Sequence, residues 1–288
     1  MPQPEPRQRD LSAAPVQVIA VTGGKGGIGK TAVAVNLATA FARAGRATML
    51  LDGDLGLANV DVLLGLTPRY TLEQLLSGER ALEEIILETG SGVRVVPAAS
   101  GVARMAALGA SEQAAIVTAF SNLSGSLDVL IVDTAAGIGE SVLRFCQSVQ
   151  QVLVVLRDEP TSLTDTYALI KVLSRGHGVR QFRVLTNMVR QPGQGDGVFR
   201  RLQRVTDRYL DVALEYVGEI PEDAAMAKAV QLQRPVLEAF PRCPAALAFN
   251  RLAAEARRWA VPANPSGRVE FFIERMLRRP PVQLRVLK

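Results

Sequence analysis

Apolar runs of strand length alternate with segments of helical period along most of the chain. The runs occupy residues 16–22, 47–52, 93–98, 127–133, 151–156, 182–187 and 215–220. Their almost continuous apolarity is typical of strands buried on both faces of a parallel sheet, and helices between consecutive strands form βα units. We therefore predict one α/β domain, with a mostly parallel twisted sheet flanked by helices. The segment QPGQGDG at 191–197 predicts a flexible loop by its composition.

Length and composition favour a single cytoplasmic domain. With 288 residues and 48% hydrophobic content, the chain can bury one large core, which we assign to 16–261. Residues 1–15 form a flexible tail without a signal-peptide core, and 262–288 form a linker and a short final helix. No run reaches the roughly 18 apolar residues that a membrane span requires. The two cysteines, Cys146 and Cys243, form no C-x-x-C motif, which argues against a zinc or iron–sulfur site.

Glycines dominate the segment between the first predicted strand and the first predicted helix, where residues 23–31 read GGKGGIGKT. Residues without a Cβ let successive backbone amides turn toward an anion at the start of a helix. We expect Lys30 to reach the β and γ phosphates of a nucleotide and the Thr31 hydroxyl to bind Mg²⁺. A plain glycine-rich turn would leave the adjacent Lys-Thr pair unexplained. The residues predicted to bind the nucleotide here are Gly24, Lys25, Gly26, Gly27, Ile28, Gly29, Lys30, Thr31 and Ala32.

Lys25 is the unusual residue of this loop, because a plain phosphate loop needs no lysine there. An exposed loop lysine is the commoner explanation. However, K-G-G-x-G-K-T resembles the deviant Walker A loop of the MinD/ParA family of P-loop ATPases. The resemblance implies a MinD-like fold, slow regulatory hydrolysis of ATP with Mg²⁺, and an ATP-bound homodimer in which Lys25 reaches across to the partner. The residues implied for catalysis are Lys25, Lys30 and Asp54.

Two of the predicted strands end in aspartates. Asp52 and Asp54 follow the second strand in LDGDLGLANV, and Asp133 ends the fourth in LIVDTAAGIGE. Ligands of open parallel sheets bind at the carboxyl ends of the strands. We expect Asp52 and Asp133 to hold Mg²⁺ together with Thr31, and the resemblance implies that Asp54 orients the hydrolytic water. For Asp52 and Asp54, the alternative is a β-turn rich in Asp and Gly. Gly53 stands where alanine is usual in the family, which predicts a looser switch segment.

The base of the nucleotide is expected at the ends of the later strands. The residues that match the family's adenine pocket are Asn187, Pro221, Glu222 and Asp223. Guanine-selective relatives carry N-K-x-D, whereas Met188 follows Asn187 here, which favours ATP over GTP. Glu159, in RDEPTSLTD, matches the family residue that contacts the partner subunit's nucleotide. A solvent-exposed loop acid is the alternative explanation for Glu159.

Several segments resemble one branch of that family, the flagellar-number regulators of the FleN (FlhG) type. They are LDGDLGLANVDVLLGL, VVPAASG, VDTAAGIGES, DEPTSLTDTYALIK and EAFPR. The resemblance implies an ATP-switched dimer that restrains a flagellar transcription activator of the FleQ type. The GTPase FlhF would be a second partner. The chain lacks the D-Q-A-x-x-L-R element with which longer members stimulate FlhF, which puts that activity in doubt.

Apolar residues recur at helical spacing in GRVEFFIERMLRRPP, with arginines mostly around them. These apolar residues are Val269, Phe272, Ile273, Met276 and Leu277. A helix of this kind can lie on an anionic membrane surface, which would place the protein peripherally on the inner membrane. The same stripe could instead dock on the domain's own sheet or on the dimer surface. The pattern leaves these alternatives open.

A partition ATPase of the ParA type, which binds DNA as its ATP dimer, is the alternative function. The chain carries 33 Lys and Arg against 28 acids, a net charge of +5. Such an excess suits DNA, anionic lipid or an acidic protein, and selects none of them. Nonspecific DNA binding would depend steeply on salt, because phosphate contacts release counterions. We expect no sequence-specific contact with nucleic acid. A metallocluster ATPase ranks third because of the cysteine placement.

Overall fold

A computed structural model describes residues 15–54, 60–97, 116–121, 126–261 and 269–277. Its centre is an eight-stranded sheet with the order β3-β4-β2-β5-β1-β6-β7-β8, parallel except between β3 and β4. The strands are β1 Gln17–Thr22, β2 Thr48–Gly53, β3 Leu87–Glu88, β4 Val93–Pro97, β5 Val129–Thr134, β6 Gln151–Leu156, β7 Gln181–Val189 and β8 Ala213–Pro221. The predicted mostly parallel sheet is confirmed, and each predicted run matches a strand to within two residues at either end. The two-residue strand β3 was not predicted.

Helices cover both faces of the sheet. They are α1 Lys30–Arg43, α2 Val60–Leu64, α3 Leu72–Leu76, α4 Leu82–Ile85, α5 Glu140–Ser148, α6 Pro160–His177, α7 Gln194–Tyr209, α8 Ala224–Gln231, α9 Val236–Ala239, α10 Pro244–Ala256 and α11 Val269–Leu277. Residues 116–121 are also helical. Among the described helices, none combines the length and the apolar character that crossing a membrane requires.

The sheet is buried on both sides, which explains why its strands are apolar at nearly every position. In β1, Val18 and Ala20 belong to one buried cluster, whereas Ile19 and Val21 belong to the other. The first cluster includes side chains of α5, α6, α7 and α11, and the second includes side chains of α1, α8, α9 and α10. Alternate residues of a strand point to opposite faces, so both sets must be hydrophobic.

The order of the strands places a crevice at the carboxyl end of β1. This strand pairs with β5 on one side and with β6 on the other. The chain leaves β1 toward β2 on the β5 side and later reaches β6 on the opposite side, so its winding direction changes there. Open α/β sheets bind their ligands at such a point. The glycine-rich segment that follows β1 therefore lies at the natural ligand site of the fold.

The prediction of a flexible loop at 191–197 was wrong for its second half, because α7 begins at Gln194. The carboxylate of Glu219, on β8, accepts hydrogen bonds from the backbone N–H of Gly193 at 2.8 Å and of Gly195 at 3.0 Å. This strand residue supplies the cap that the first turn of a helix needs. A Cβ at Gly195 would lie 2.4 Å from Thr186 Oγ1, so the glycine is required by close packing. Local composition could not reveal a cap from another element.

Candidate functional site

The loop between β1 and α1 leaves the start of the helix open. Gly29 is the N-cap with φ 86°, no side chain caps α1, and its first turn contains no acidic residue. Gly27 has φ 75°, and a Cβ added at Gly26 or Gly27 would meet no atom within 4 Å. Left-handed backbone of this kind explains glycine at 27 and 29. Uncapped N–H groups at a helix start suit a phosphate group.

Lys30 lies beneath this loop and is only 8% exposed. Its Nζ donates to the backbone carbonyl of Lys25 at 3.3 Å. Burial lowers the pKa of Lys30, whereas the nearby carboxylates of Asp133 and Asp54 act in the opposite direction. A buried ammonium group beside the open helix start fits the phosphate-binding role that the sequence predicts for Lys30.

Asp52 and Asp133 face each other in register on the neighbouring strands β2 and β5. Asp133 is fully buried, and neither of its carboxylate oxygens has a hydrogen-bond partner among the described residues. Burial raises the pKa of Asp133 to about 7, opposed by the nearby Thr31 hydroxyl. Burial likewise raises the pKa of Asp52 to about 6. A buried carboxylate without a partner is unfavourable, so the pair fits a bound cation.

These residues suit Mg²⁺ held against phosphate. Thr31, Asp52 and Asp133 would hold the ion, which would neutralise charge on the phosphate oxygens. No group of three or more His, Cys, Asp or Glu forms a self-contained metal site within the described ranges. Mg²⁺ in such sites takes much of its coordination from water and substrate phosphates, so few protein ligands are needed.

Asp54 lies just beyond the end of β2, where its backbone N–H donates to Asp52 Oδ1 at 3.2 Å. The other oxygen of Asp52 accepts from the N–H of Val60 at 3.4 Å, at the start of α2. Asp52 thus holds both flanks of residues 55–59, which lie outside the described residues. The sequence placed Asp54 correctly next to the other site carboxylates.

Gly53 has a packing role that the resemblance to the MinD/ParA motif did not suggest. The residue is buried at the end of β2, and a Cβ there would lie 2.7 Å from the Asp133 carbonyl oxygen and 2.7 Å from a ring carbon of Phe145. The looser switch segment stays a prediction, because residues 55–59 lie outside the described ones. Glycine allows the ends of β2 and β5 to approach α5 closely.

Lys25 is held by side chains of its own chain at the outer edge of the loop. Its Nζ donates to Glu159 Oε2 at 2.7 Å and to the Thr161 hydroxyl at 2.8 Å. Arg157 also pairs with Glu159, at 3.2 Å. The hydrogen bond from Lys25 holds the pKa of Glu159 below its usual value. The structure therefore brings two separately predicted residues, Lys25 and Glu159, into contact, and adds Arg157 and Thr161 of the same RDEPTSLTD segment, to which the sequence assigned no role.

The loop that follows Asp133 is attached to the phosphate loop. The backbone N–H of Gly137 donates to the Gly23 carbonyl at 3.1 Å, and the Thr134 hydroxyl donates to the Val21 carbonyl at 3.1 Å. Gly137 has φ 89°, which only glycine adopts readily. The helix α5 begins at Glu140, directly after this loop. These two hydrogen bonds join the end of β1 and the start of the phosphate loop to the segment that leads into α5.

The ends of β7 and β8 meet where the adenine base was predicted, with Val189 paired to Pro221. A cavity of about 380 Å³ opens here, and its lining includes Pro221, Glu222 and Arg190. Glu222 pairs with Arg190 at 3.1 Å on the surface. Pro221 and Glu222 therefore line a cavity at these strand ends, and their role toward adenine stays a prediction.

The other two predicted base residues have structural contacts. The Asp223 carboxylate accepts from the N–H of Ala225 at 2.9 Å and of Ala245 at 3.1 Å, and so caps α8 and holds the start of α10. The side-chain amide of Asn187 donates to the Ile28 carbonyl in the phosphate loop at 2.8 Å. The sequence did not predict the contacts of Asp223 with Ala245 and of Asn187 with Ile28, because each joins separate elements of the chain.

Comparison with known proteins agrees with this geometry. Residues 15–257 match the family model ParA, described as NUBPL iron-transfer P-loop NTPase. Antiactivator FleN of Pseudomonas aeruginosa is 58% identical over 269 residues, which cover 93% of this chain and 96% of that protein. The chain belongs to the ParA/MinD family of P-loop ATPases. Flagellum site-determining protein YlxH of Helicobacter pylori, another similar protein, is 33% identical over 76% of this chain and 74% of its own length.

The fold is also that of solved ParA/MinD structures. The septum site-determining protein MinD of Pyrococcus horikoshii, solved with Mg-ADP, superposes with a TM-score of 0.66. It is 26% identical, and the match covers 84% of this chain and 96% of that one. The MinD-like architecture expected from the loop sequence is therefore confirmed.

The cysteines of this ParA/MinD chain serve its own packing. Cys146 is buried in α5, and burial raises the pKa of its thiol to about 12. Cys243 is the N-cap of α10, and its sulfur accepts from the N–H of Ala246 at 3.3 Å. Both thiols are free.

The final helix α11 packs on α5 of the ATPase domain. Phe272, Ile273 and Met276 are each at most 1% exposed and share a buried cluster with Val142 and Phe145 of α5. The apolar stripe predicted for a membrane surface is therefore docked on the chain's own domain in this structure. The side chains of the other two predicted residues, Val269 and Leu277, lie outside the described ones.

Proposed function

We propose that this chain is an ATP-switched dimeric regulator of flagellum number that acts as an antiactivator. The observation that carries the proposal is the different burial of the two lysines of the loop. Lys30 is buried below the loop, whereas Lys25 lies on its outer edge with 36% of its side chain exposed. The buried Lys30 is suited to bind the nucleotide of its own chain, and the exposed Lys25 is suited to reach a nucleotide bound by a second copy. The similarity to antiactivator FleN supports the flagellar role.

ATP and Mg²⁺ are the ligands of the proposed switch. The amides of residues 24–32 and the ammonium group of Lys30 would bind the phosphates, and the cavity at Pro221 and Glu222 would receive the adenine. Asp54 would orient the hydrolytic water. The relative from Pyrococcus horikoshii was solved with Mg-ADP, which supports the same ligand class here.

The partner of an antiactivator is a transcription activator, and we propose one of the FleQ type. A nucleotide can bias the binding of a partner only if the partner distinguishes the ATP and ADP states. We expect a coupling of roughly 1 to 3 kcal/mol between the γ phosphate and the partner. The loop after Asp133 and the helix α5 are the elements placed to transmit it, because Gly137 contacts Gly23 directly. A GTPase of the FlhF type is a second proposed partner.

Binding of a purified FleQ-type activator tests the proposal. Asp54→Ala should bind and retain ATP, because Lys30 and the loop are intact, yet hydrolyse it about a hundredfold more slowly or worse. Its affinity for the activator in ATP should differ from that of the wild type in ADP by about fivefold to 150-fold. Lys30→Ala, which loses the phosphate contact, is the matched control and should show no nucleotide effect.

Equal affinities in the two states would remove the switch from this regulation. Absence of binding in either state, together with ATP-dependent DNA binding that falls steeply with salt, would instead support the partition function.

A further inference from the structure

Asn187 joins the far end of the sheet to the phosphate loop. It lies at the end of β7 with only 5% of its surface exposed, and its Nδ2 donates to the Ile28 carbonyl at 2.8 Å. Ile28 is itself buried at 1% exposure, in the middle of the loop. The bond therefore fixes the direction of one peptide group in the segment that would receive the phosphates.

The packing around this bond is tight on both sides. A Cβ added at Gly29 would lie 2.5 Å from Asn187 Nδ2 and 3.4 Å from the terminal carbon of Met188. Gly29 is also the left-handed N-cap of α1, with φ 86°. The side-chain amide of Asn187 thus lies against the backbone at the start of α1. Any residue larger than glycine at position 29 would push this amide away from the helix start.

The backbone of β7 is distorted at this point. Met188 has φ 55°, a left-handed conformation that residues with a side chain rarely adopt. The pairing of β7 with β8 shifts register between Thr186 and Val189, the interval that contains Asn187. Backbone strain of this kind persists where the surrounding structure enforces it, and is common at binding sites. Here it coincides with the turn that directs the Asn187 side chain to the loop.

We propose that Asn187 is a positioning residue of the phosphate loop. By donating to the Ile28 carbonyl, it keeps that oxygen turned away from the bound anion, so that neighbouring N–H groups face the phosphates. This inference rests on the proposed binding of ATP and goes beyond it, because the resemblance to the family assigns Asn187 to the adenine base.

The two roles predict different behaviour toward a ligand without a base. A residue that reads adenine affects ATP and leaves inorganic tripolyphosphate unchanged. A residue that shapes the loop affects both ligands by the same factor, because the phosphates are common to them. The comparison of the two ligands therefore separates positioning from base recognition.

Calorimetric titration of the full chain with Mg-ATP and with Mg-tripolyphosphate tests the inference. Asn187→Ala should weaken both ligands by a similar factor, about fivefold to tenfold for one hydrogen bond. Asn187→Leu keeps the number and branching of the side-chain heavy atoms but cannot donate, and should behave in the same way if Asn187→Ala does not fold. Arg190→Ala, at the base cavity, is the contrasting variant and should change ATP binding alone.

Weakened ATP binding with unchanged tripolyphosphate binding in Asn187→Leu would overturn the inference and return Asn187 to the base. Unchanged binding of both ligands would also overturn it. Failure of the wild type to bind either ligand would overturn the proposed nucleotide function, and with it this role for Asn187.

Discussion

The ammonium group of Lys25 lies 2.7 Å from the Glu159 carboxylate of the same chain. Glu159 and Thr161 take two of the three N–H donors of this ammonium group. In the proposed dimer, a phosphate bound by the second copy would compete with Glu159 for Lys25. Glu159 is the N-cap residue of α6, so the pair also links the phosphate loop to the start of that helix.

Removal of Lys25 should separate nucleotide binding from dimerisation. Lys25→Ala leaves Lys30 and the loop amides in place, so we expect ATP affinity close to that of the wild type. We expect little ATP-dependent dimer and strongly reduced hydrolysis, measured by light scattering and phosphate release. Lys171→Ala, an exposed lysine on α6, is the matched control and should behave as the wild type. Normal dimerisation of Lys25→Ala would contradict the role across the dimer.

Neutralisation of Glu159 should favour the dimer. Glu159→Gln weakens the contact that holds Lys25 within its own chain, so half-maximal dimerisation should occur at a lower ATP concentration. The effect should stay within about fivefold and shrink at high salt, because an exposed ion pair is weak and screened. Titration of ATP with analytical ultracentrifugation at two salt concentrations measures both. A variant that dimerises less readily would show instead that Glu159 contacts the partner's nucleotide.

In the absence of nucleotide and Mg²⁺, the burial of Asp133 should make the folded domain less stable as pH rises. Its folded-state pKa of about 7 lies above the ordinary value of 3.8, so the folded protein binds more protons than the unfolded chain between those values. Stability therefore falls as pH rises through this window, and the loss is complete above about pH 7. Asp133→Asn removes the loss and should be more stable by roughly 2 to 4 kcal/mol at pH 8, with a smaller difference toward pH 4.

Chemical unfolding in EDTA, without nucleotide, measures this difference. Asp211→Asn, whose side chain is 99% exposed, should leave the pH dependence unchanged. If Asp133→Asn were less stable than the wild type at pH 8, the carboxylate would already be stabilised by a contact within the folded chain.

The final helix should contribute to both stability and membrane binding. Truncation after Gly267 removes α11 and exposes its apolar contact surface on α5, so the melting temperature should fall by several degrees. If α11 leaves α5 and exposes its apolar residues, the same truncation should also abolish ATP-enhanced binding to anionic liposomes, since two linked helices in the proposed dimer bind more strongly than one. Zwitterionic liposomes are the control. Liposome binding by the truncated chain equal to that of the full chain would exclude α11 as the anchor.

The parts predicted correctly from the sequence are those whose signal is local. The strands follow from continuous apolar runs, and the phosphate loop follows from Gly27 and Gly29, whose positive φ values require glycine. The placement of Lys30 follows from its position at the start of α1, and that of Asp52 and Asp133 from their positions at the ends of β2 and β5.

The parts that the sequence missed depend on residues far apart in the chain. The start of α7 is capped by Glu219 from β8, and the Asp223 carboxylate holds two helix starts instead of remaining open to a ligand. Asn187 bonds to Ile28, 159 positions away. From local sequence pattern, such residues can be assigned a role only by the motif in which they occur. Their contacts with distant residues exist only once the sheet has formed.

At Gly53 the end of β2 packs closely against β5 and α5, and α5 in turn packs against the final helix α11. A single methyl group there would collide with the backbone of Asp133 on one side and with the ring of Phe145 on the other. Phe145 belongs to the same buried cluster as Phe272 of α11. A side chain at position 53 would therefore press on the ring that packs in the same cluster as the last helix, so the carboxylates at the ends of β2 and β5 and the docking surface of α11 are joined by one chain of close contacts.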